Sequence, residues 1–185
     1  MLPDQSHLSL PFFDDSHREL GREAATWAAK TAPLIDEADD RAACRAWVRA
    51  LGDAGLLRWC VPSEYGGALD ALDSRSLVVL RETLAFHSPL ADFAFAMQGL
   101  GSGAITLAGT AEQKRDYLSA VAKGDKIAAF ALSEPGAGSD AGALATRAVK
   151  TADGWALSGE KTWISNGGIA DFYCVFAKTE PDAGT

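Results

Sequence analysis

A chain of 185 residues that is 48% hydrophobic and 23% charged, with a mean hydropathy of -0.02, is too polar for a membrane protein and too apolar for disorder. Its formal net charge of -8 argues against nucleic-acid binding, which needs clustered Lys and Arg to neutralise phosphates. The widely spaced Cys44, Cys60 and Cys174 form neither a CxxC pair nor a Cys/His cluster, so they read as reduced thiols and imply no metal site.

Met1 to Leu10 shows no basic n-region and no apolar h-region, and no long apolar run occurs anywhere. A signal peptide and a membrane span are therefore not expected, and a cytoplasmic location is the default. Up to Gly124, apolar residues recur at helical spacing. Asp14 and Asp15 stand at the N-cap of a first helix, with Leu20, Ala24, Trp27 and Thr31 on one face and Pro33 as its stop. A second helix runs from about Asp39 to Ala54, with Ala43, Trp47, Ala50, Leu51 and Ala54 inward, and Gly55 closes it. Arg41, Arg45 and Arg49 form its solvated face. Leu56 to Gly67, with Pro62 and Gly66-Gly67, reads as loop.

The third helix spans about Leu72 to His87, with Leu77, Leu80 and Leu84 inward and Pro89 marking the break. His87, in the last turn, is a dipole partner rather than a catalyst. Leu90 to Leu107 reads as a buried central helix carrying Ala94, Met97, Leu100, Ala104 and Leu107, while Gly99, Gly101 and Gly103 permit close approach of another element or a ligand. Thr110 caps a short helix from Ala111 to about Ala122, and Gln113 completes a capping box. From Lys126 onward the pattern is of strands. Ile127 to Leu132 is one, Arg147 to Thr151 pairs with Trp155 to Ser158 across Asp153-Gly154, and Phe172 to Ala177 follows the Gly167-Gly168 turn. The open strand edges make the fold look unfinished, and Thr179 to Thr185 reads as a loop between strands.

Two segments carry candidate chemistry. Ala131-Leu132-Ser133-Glu134-Pro135-Gly136-Ala137-Gly138-Ser139-Asp140 runs from a strand into a Gly-rich loop whose amides can form a phosphate nest, with hydroxyls on Ser133 and Ser139. It does not complete GxGxxG and no helix opens behind it, so a Rossmann reading fails, and a plain Pro135-Gly136 turn accounts for it equally. In Lys161-Thr162-Trp163-Ile164-Ser165-Asn166-Gly167-Gly168, Trp163 and Ser165 stand two apart. An extended chain points them to one face, where indole and hydroxyl suit a planar heterocycle; a Trp packed in the core is the alternative.

Together these segments are similar to the acyl-CoA dehydrogenase family. Ala131 to Ala143 resembles its first signature and Gly159 to Gly168 its second flavin segment, and Leu51 to Gly67 and Gly109 to Leu118 agree in order. The resemblance implies an α+β chain: a helical amino-terminal domain over 1–125, then the first strands of a middle β-barrel domain over 126–185. The family's carboxy-terminal helical bundle is absent from this sequence. It implies FAD as cofactor and the α,β-oxidation of an acyl-CoA thioester to the 2,3-enoyl-CoA. Phe130, Leu132 and Ser133 are expected to line the flavin, Gly138 and Ser139 to approach FAD and the CoA arm, and Trp163, Ile164 and Ser165 to lie against the isoalloxazine. Ser139 is thus also a substrate-binding candidate.

In the family a Glu of the bundle removes the α proton while hydride leaves the β carbon for the flavin. No Glu here matches that base, so no catalytic residue is assigned, the chain is expected to be an inactive fragment, and Glu134 is given a structural role. Electron-transfer flavoprotein is the implied acceptor and a homotetramer the implied assembly. An acyl-CoA oxidase, a flavin monooxygenase relative, or a non-catalytic flavin- or CoA-binding subunit are the alternatives. Met97, Gln98 and Leu100 are candidates for the acyl pocket, although core packing accounts for Met97 and Leu100 as well.

Overall fold

The computed structural model describes residues 3–180, so the loop expected over Thr179–Thr185 lies outside the described residues from Pro181 onward. Among the described residues five α-helices precede the strands: α1 (Asp15–Thr31), α2 (Asp40–Asp53), α3 (Ser74–His87), α4 (Pro89–Ala108) and α5 (Ala111–Lys123). Their boundaries follow local capping chemistry. Asp39 and Thr110 accept backbone N–H bonds at the starts of α2 and α5, Gln113 returns the bond at α5, and Gly55 and Gly124 sit at positive φ where α2 and α5 end. Pro89 is the first residue of α4, with Ser88 as its cap, so the break is a corner between two helices.

The starts of α1 and α3 are tied by one side chain. His17 Nδ1 accepts the Asp14 N–H at 3.0 Å, which leaves Nε2–H to donate to Asp73 at 2.7 Å. Burial alone would raise the Asp73 carboxyl, but hydrogen bonds from His17, Ser76 and Arg75 outweigh it and hold Asp73 well below the usual carboxylate range.

The core lies among α1, α2, α3, α4 and α5, where Trp47, Leu51, Leu57, Leu80, Leu84, Phe95 and Leu118 are fully buried. Each such side chain stabilises the fold by roughly 1.5–3 kcal/mol relative to leaving it in water. Cys60 lies in this core, and burial pushes its thiol up to about 12; all three cysteines are free. Arg41, Arg45 and Arg49 face solvent, and Arg49 pairs with Asp53 and Asp125. Cys44 and Val48, rather than Ala50 and Ala54, complete the buried face of α2, because the helix presents a, d and e positions and not a single row. In α1, Ala25 and Ala28 are buried while Trp27 and Thr31 are only partly covered. Leu56 to Gly67 is not irregular throughout: it forms 3₁₀ turns at Leu56–Cys60 and Ser63–Tyr65.

Helix α4 corrects a stronger expectation. Leu100 and Leu107 are 48% and 86% exposed, and the buried face carries Ala91, Ala94, Phe95, Gln98, Gly101 and Ser102. Apolar residues surround this helix on every side, so periodicity did not reveal which face turns inward. Four strands follow among the described residues: β1 (Ala128–Ala131), β2 (Arg147–Lys150), β3 (Trp155–Ser158) and β4 (Phe172–Val175). β1 pairs in parallel with β4, with Ala128 opposite Phe172, and β2 pairs antiparallel with β3. The Thr151 N–H bonds to Gly154 O, so the hairpin turns on Ala152-Asp153, one residue earlier than expected. Arg147 bridges Lys178, which links the two ladders beyond β4. α4 packs directly on β1 and β4, and Gly101 is the reason it can: a Cβ there would stand 2.6 Å from that of Ala128. Among the described residues no helix is long and apolar enough to cross a membrane.

Candidate functional site

β1 leads from this helix-backed position into the Gly-rich segment. Glu134 and Ala137 exchange both backbone hydrogen bonds, at 2.9 and 3.1 Å, so Pro135-Gly136 is indeed a tight turn and takes two amides out of any phosphate nest. Beyond it Gly138 and Ser139 are exposed. Neither Gly136 nor Gly138 has a positive φ, and a Cβ on either would meet nothing within 4 Å. The chain's own packing therefore does not require glycine at these positions. Bare backbone in open space is what a ligand needs to come close.

The second segment folds onto the first. Thr162 N donates to Ser133 O at 3.0 Å, and Lys161 Nζ donates to Leu132 O at 2.9 Å and to Glu134 Oε1 at 2.8 Å. Thus Leu132 and Ser133, both half-buried, adjoin the run that carries Trp163, Ile164 and Ser165. Phe130, on β1, packs its ring 4.9 Å from that of Phe176 just after β4.

The extended geometry expected for 163–165 is not what forms. Trp163 has a φ of 55° and Asn166 one of 61°, and the chain turns: Gly167 N–H bonds to Ile164 O, and Ile169 and Ala170 N–H bond to Asn166 O. The Asn166 side chain pins this turn to β1 by donating to Ala128 O at 3.0 Å. Asn tolerates the left-handed region, whereas a Trp there is uncommon and costs about 1–3 kcal/mol. The consequence is an indole 90% exposed rather than packed in the core. Ile164 turns the other way, into a cleft of about 500 Å³ shared with Arg41, Cys44, Leu90, Phe93 and Asn166.

Glu134 is the knot of the site. It is buried, and its carboxylate accepts from Ala145 N–H at 2.5 Å, from Lys161, and from Thr146 N–H at 2.9 Å. The Ala145 N–H, then Lys161 and Thr146, favour the charged form and hold its carboxyl down at about 2. A carboxylate so fully engaged binds loop to loop and is not free to take a proton. Because the folded carboxyl lies below its ordinary value of 4.5, its stabilising contribution is complete above about pH 4.5 and is lost as pH falls toward 2. Melting temperature between pH 5 and 2.5 should therefore fall less steeply for Glu134→Gln than for the unaltered protein; equal slopes would remove the carboxylate from this role.

Sequence reasoning missed the roles of Lys161, Thr162 and Asn166, and offered Gln98 only as a candidate for the acyl pocket. Gln98 is fully buried on α4, where Nε2 donates to Lys126 O at 2.7 Å and Oε1 accepts from Ala128 N–H at 2.8 Å. With both of these bonds Gln98 secures β1. Its signal was present as a polar residue in an apolar helix, which must find partners when buried.

The arrangement fits a flat, partly polar ring: an exposed indole, half-buried hydroxyl residues and Cβ-free backbone, all on two segments locked together. Comparison with known proteins bears on it. Residues 14–125 match the family model described as acyl-CoA dehydrogenase, N-terminal domain, and residues 129–185 that of the middle domain. A 3-(aryl)acrylate reductase of Clostridium sporogenes is 38% identical over 94% of this chain and 46% of its own length. The crystal structure of an acyl-CoA dehydrogenase complexed with FAD from Bacillus anthracis superposes with a TM-score of 0.76 at 34% identity, covering 90% of this chain and 29% of the other. Butyryl-CoA dehydrogenase from Megasphaera elsdenii gives a TM-score of 0.77 at 30% identity, over 93% and 46%. The chain spans less than half the length of each of these relatives.

Proposed function

The chain belongs to the acyl-CoA dehydrogenase family, and from that premise we propose that it supplies the cofactor-facing part of an FAD-dependent enzyme that oxidises an acyl-CoA thioester to the 2,3-enoyl-CoA. The observation that carries the reading is the junction of 131–140 with 161–168 through Thr162, Lys161 and Glu134, beside an indole left in solvent. In this reading 1–125 is the helical domain and 126–185 begins the β domain. Trp163 and Ser165, with the backbone of Ile164 between them, hold one side of the ring of FAD, Phe130, Leu132 and Ser133 its edge, and Gly138 and Ser139 the approach to FAD and to the CoA arm. FAD, when bound, would accept the two electrons of the oxidation as a hydride. The residues here bind, orient and exclude water, and Glu134 is not the base. Electron-transfer flavoprotein is the proposed acceptor, and the assembly a homotetramer.

Purification of the full-length gene product should yield about one FAD per chain, and anaerobic addition of an acyl-CoA panel should bleach the flavin band. A protein that takes up no FAD, or that no acyl-CoA bleaches, refutes the proposal. The resemblance to a 3-(aryl)acrylate reductase favours a second reading, in which the same site runs toward saturation of an unsaturated acid. Chemically reduced flavin that is reoxidised by an arylacrylate, without bleaching by any acyl-CoA, would select it.

A further inference from the structure

Both peptide units that flank Ser133 are held from the opposite segment. The Leu132 carbonyl, which shares a peptide plane with the Ser133 N–H, accepts from Lys161 Nζ at 2.9 Å, and the Ser133 carbonyl accepts from Thr162 N–H at 3.0 Å. Among the described residues the Ser133 N–H makes no backbone hydrogen bond of its own. The Lys161 side chain is only 12% exposed, so its charge is poorly screened by water. Glu134 already has the N–H groups of Ala145 and Thr146, so holding that carboxylate in place does not depend on the ammonium alone.

Amide resonance couples the two ends of a peptide unit. A cation donating to the carbonyl oxygen draws density away from nitrogen and makes the N–H a stronger donor, as in any polarised hydrogen-bond chain. We propose that Lys161 is a positioning residue that, through the Leu132–Ser133 peptide, strengthens and aims the Ser133 N–H at the ring edge of the flavin, making the ring easier to reduce. This rests on the proposed function, which places Ser133 at that edge. Glu134 then has two effects of opposite sense: it fixes Lys161 in place, and its charge partly offsets the field that Lys161 exerts.

The test is the equilibrium between oxidised and reduced flavin against a reference dye, under anaerobic conditions, in the full-length protein saturated with FAD. Lys161→Met should favour the oxidised form by about tenfold, equivalent to about 30 mV for a two-electron couple. Lys161→Arg, which keeps the charge, should stay within about threefold of the unaltered protein, and Glu134→Gln, whose side-chain oxygen can still accept from Lys161 and so keeps it in place while the offsetting charge is removed, should shift the other way, toward the reduced form. A purely structural clasp predicts weaker FAD retention in Lys161→Met and Glu134→Gln alike, with no opposed shifts. An unchanged ratio in Lys161→Met, or shifts of the same sign in both, overturns the inference. If the Met variant does not fold, Lys161→Gln takes its place and is read in the same way. An unaltered protein that holds no FAD would instead overturn the functional reading, and this inference with it.

Discussion

Trp163→Ala should weaken FAD retention by about five- to a hundredfold while leaving the thermal midpoint of the cofactor-free protein nearly unchanged. Stacking of a heterocycle on an aromatic side chain is worth roughly 1–3 kcal/mol, which sets that range. The second half of the expectation follows from exposure. An indole that is 90% exposed contributes little to the core, so its loss falls within about 0.5 kcal/mol of neutral. Trp163→Gly adds a control, because glycine accepts a φ of 55° without strain. It should lose FAD as the Ala variant does and be no less stable than the unaltered protein. Flavin fluorescence titration and thermal melts, made on the same samples, separate the two effects. If FAD affinity is unaltered in both variants, Trp163 does not face the ring; if both melt early, the indole belongs to the core after all.

Gln98→Leu should destabilise more than a change at any other residue that supports the site. Leu fills similar space, but the Ala128 N–H and the Lys126 carbonyl lose their partner at the seam between α4 and β1. Leaving two such groups unpaired costs about 2–4 kcal/mol, or roughly 5–15 °C in thermal midpoint for a chain of this size. Because β1 leads straight into Leu132 and Ser133, FAD retention should fall with it. Gln98→Glu is informative beside it: a buried carboxylate still accepts from Ala128 but stands unpaired against the Lys126 carbonyl, so at neutral pH it should be at least as destabilising as Leu, and it should recover at low pH, where the protonated carboxyl can donate to Lys126. A Leu variant that melts with the unaltered protein would show that β1 does not depend on this clasp.

The two expectations differ in how far they could be read from the chain. The neighbourhood of Trp163 marks it in the sequence, and the indole does stand free, but its direction does not come from strand alternation. An extended chain would alternate its side chains, whereas a left-handed turn at Trp163 and Asn166 aims this one. Gln98 was named only as a possible pocket residue. Its use as a two-way bracket depends on β1 arriving against α4, and nothing within a helical turn of Gln98 announces that.

The sequence by itself determined the order and limits of the helices, the hairpin β2–β3, the Pro135-Gly136 turn and, through its two signature segments, the family. These are local properties. Capping residues act on amides three positions away, glycines act on their own φ, and amphipathic spacing shows one face wherever the other is polar. Tertiary structure decided the rest. It chose the inward face of α4, which is apolar all round, and it joined Lys161 to Leu132 across 29 residues and Asn166 to Ala128 across 38. It also turned Glu134 from a residue of a turn into the knot of the site. Such bonds form because buried polar groups must be paired, and their partners are set by which segments the packed core brings together rather than by anything adjacent in the chain.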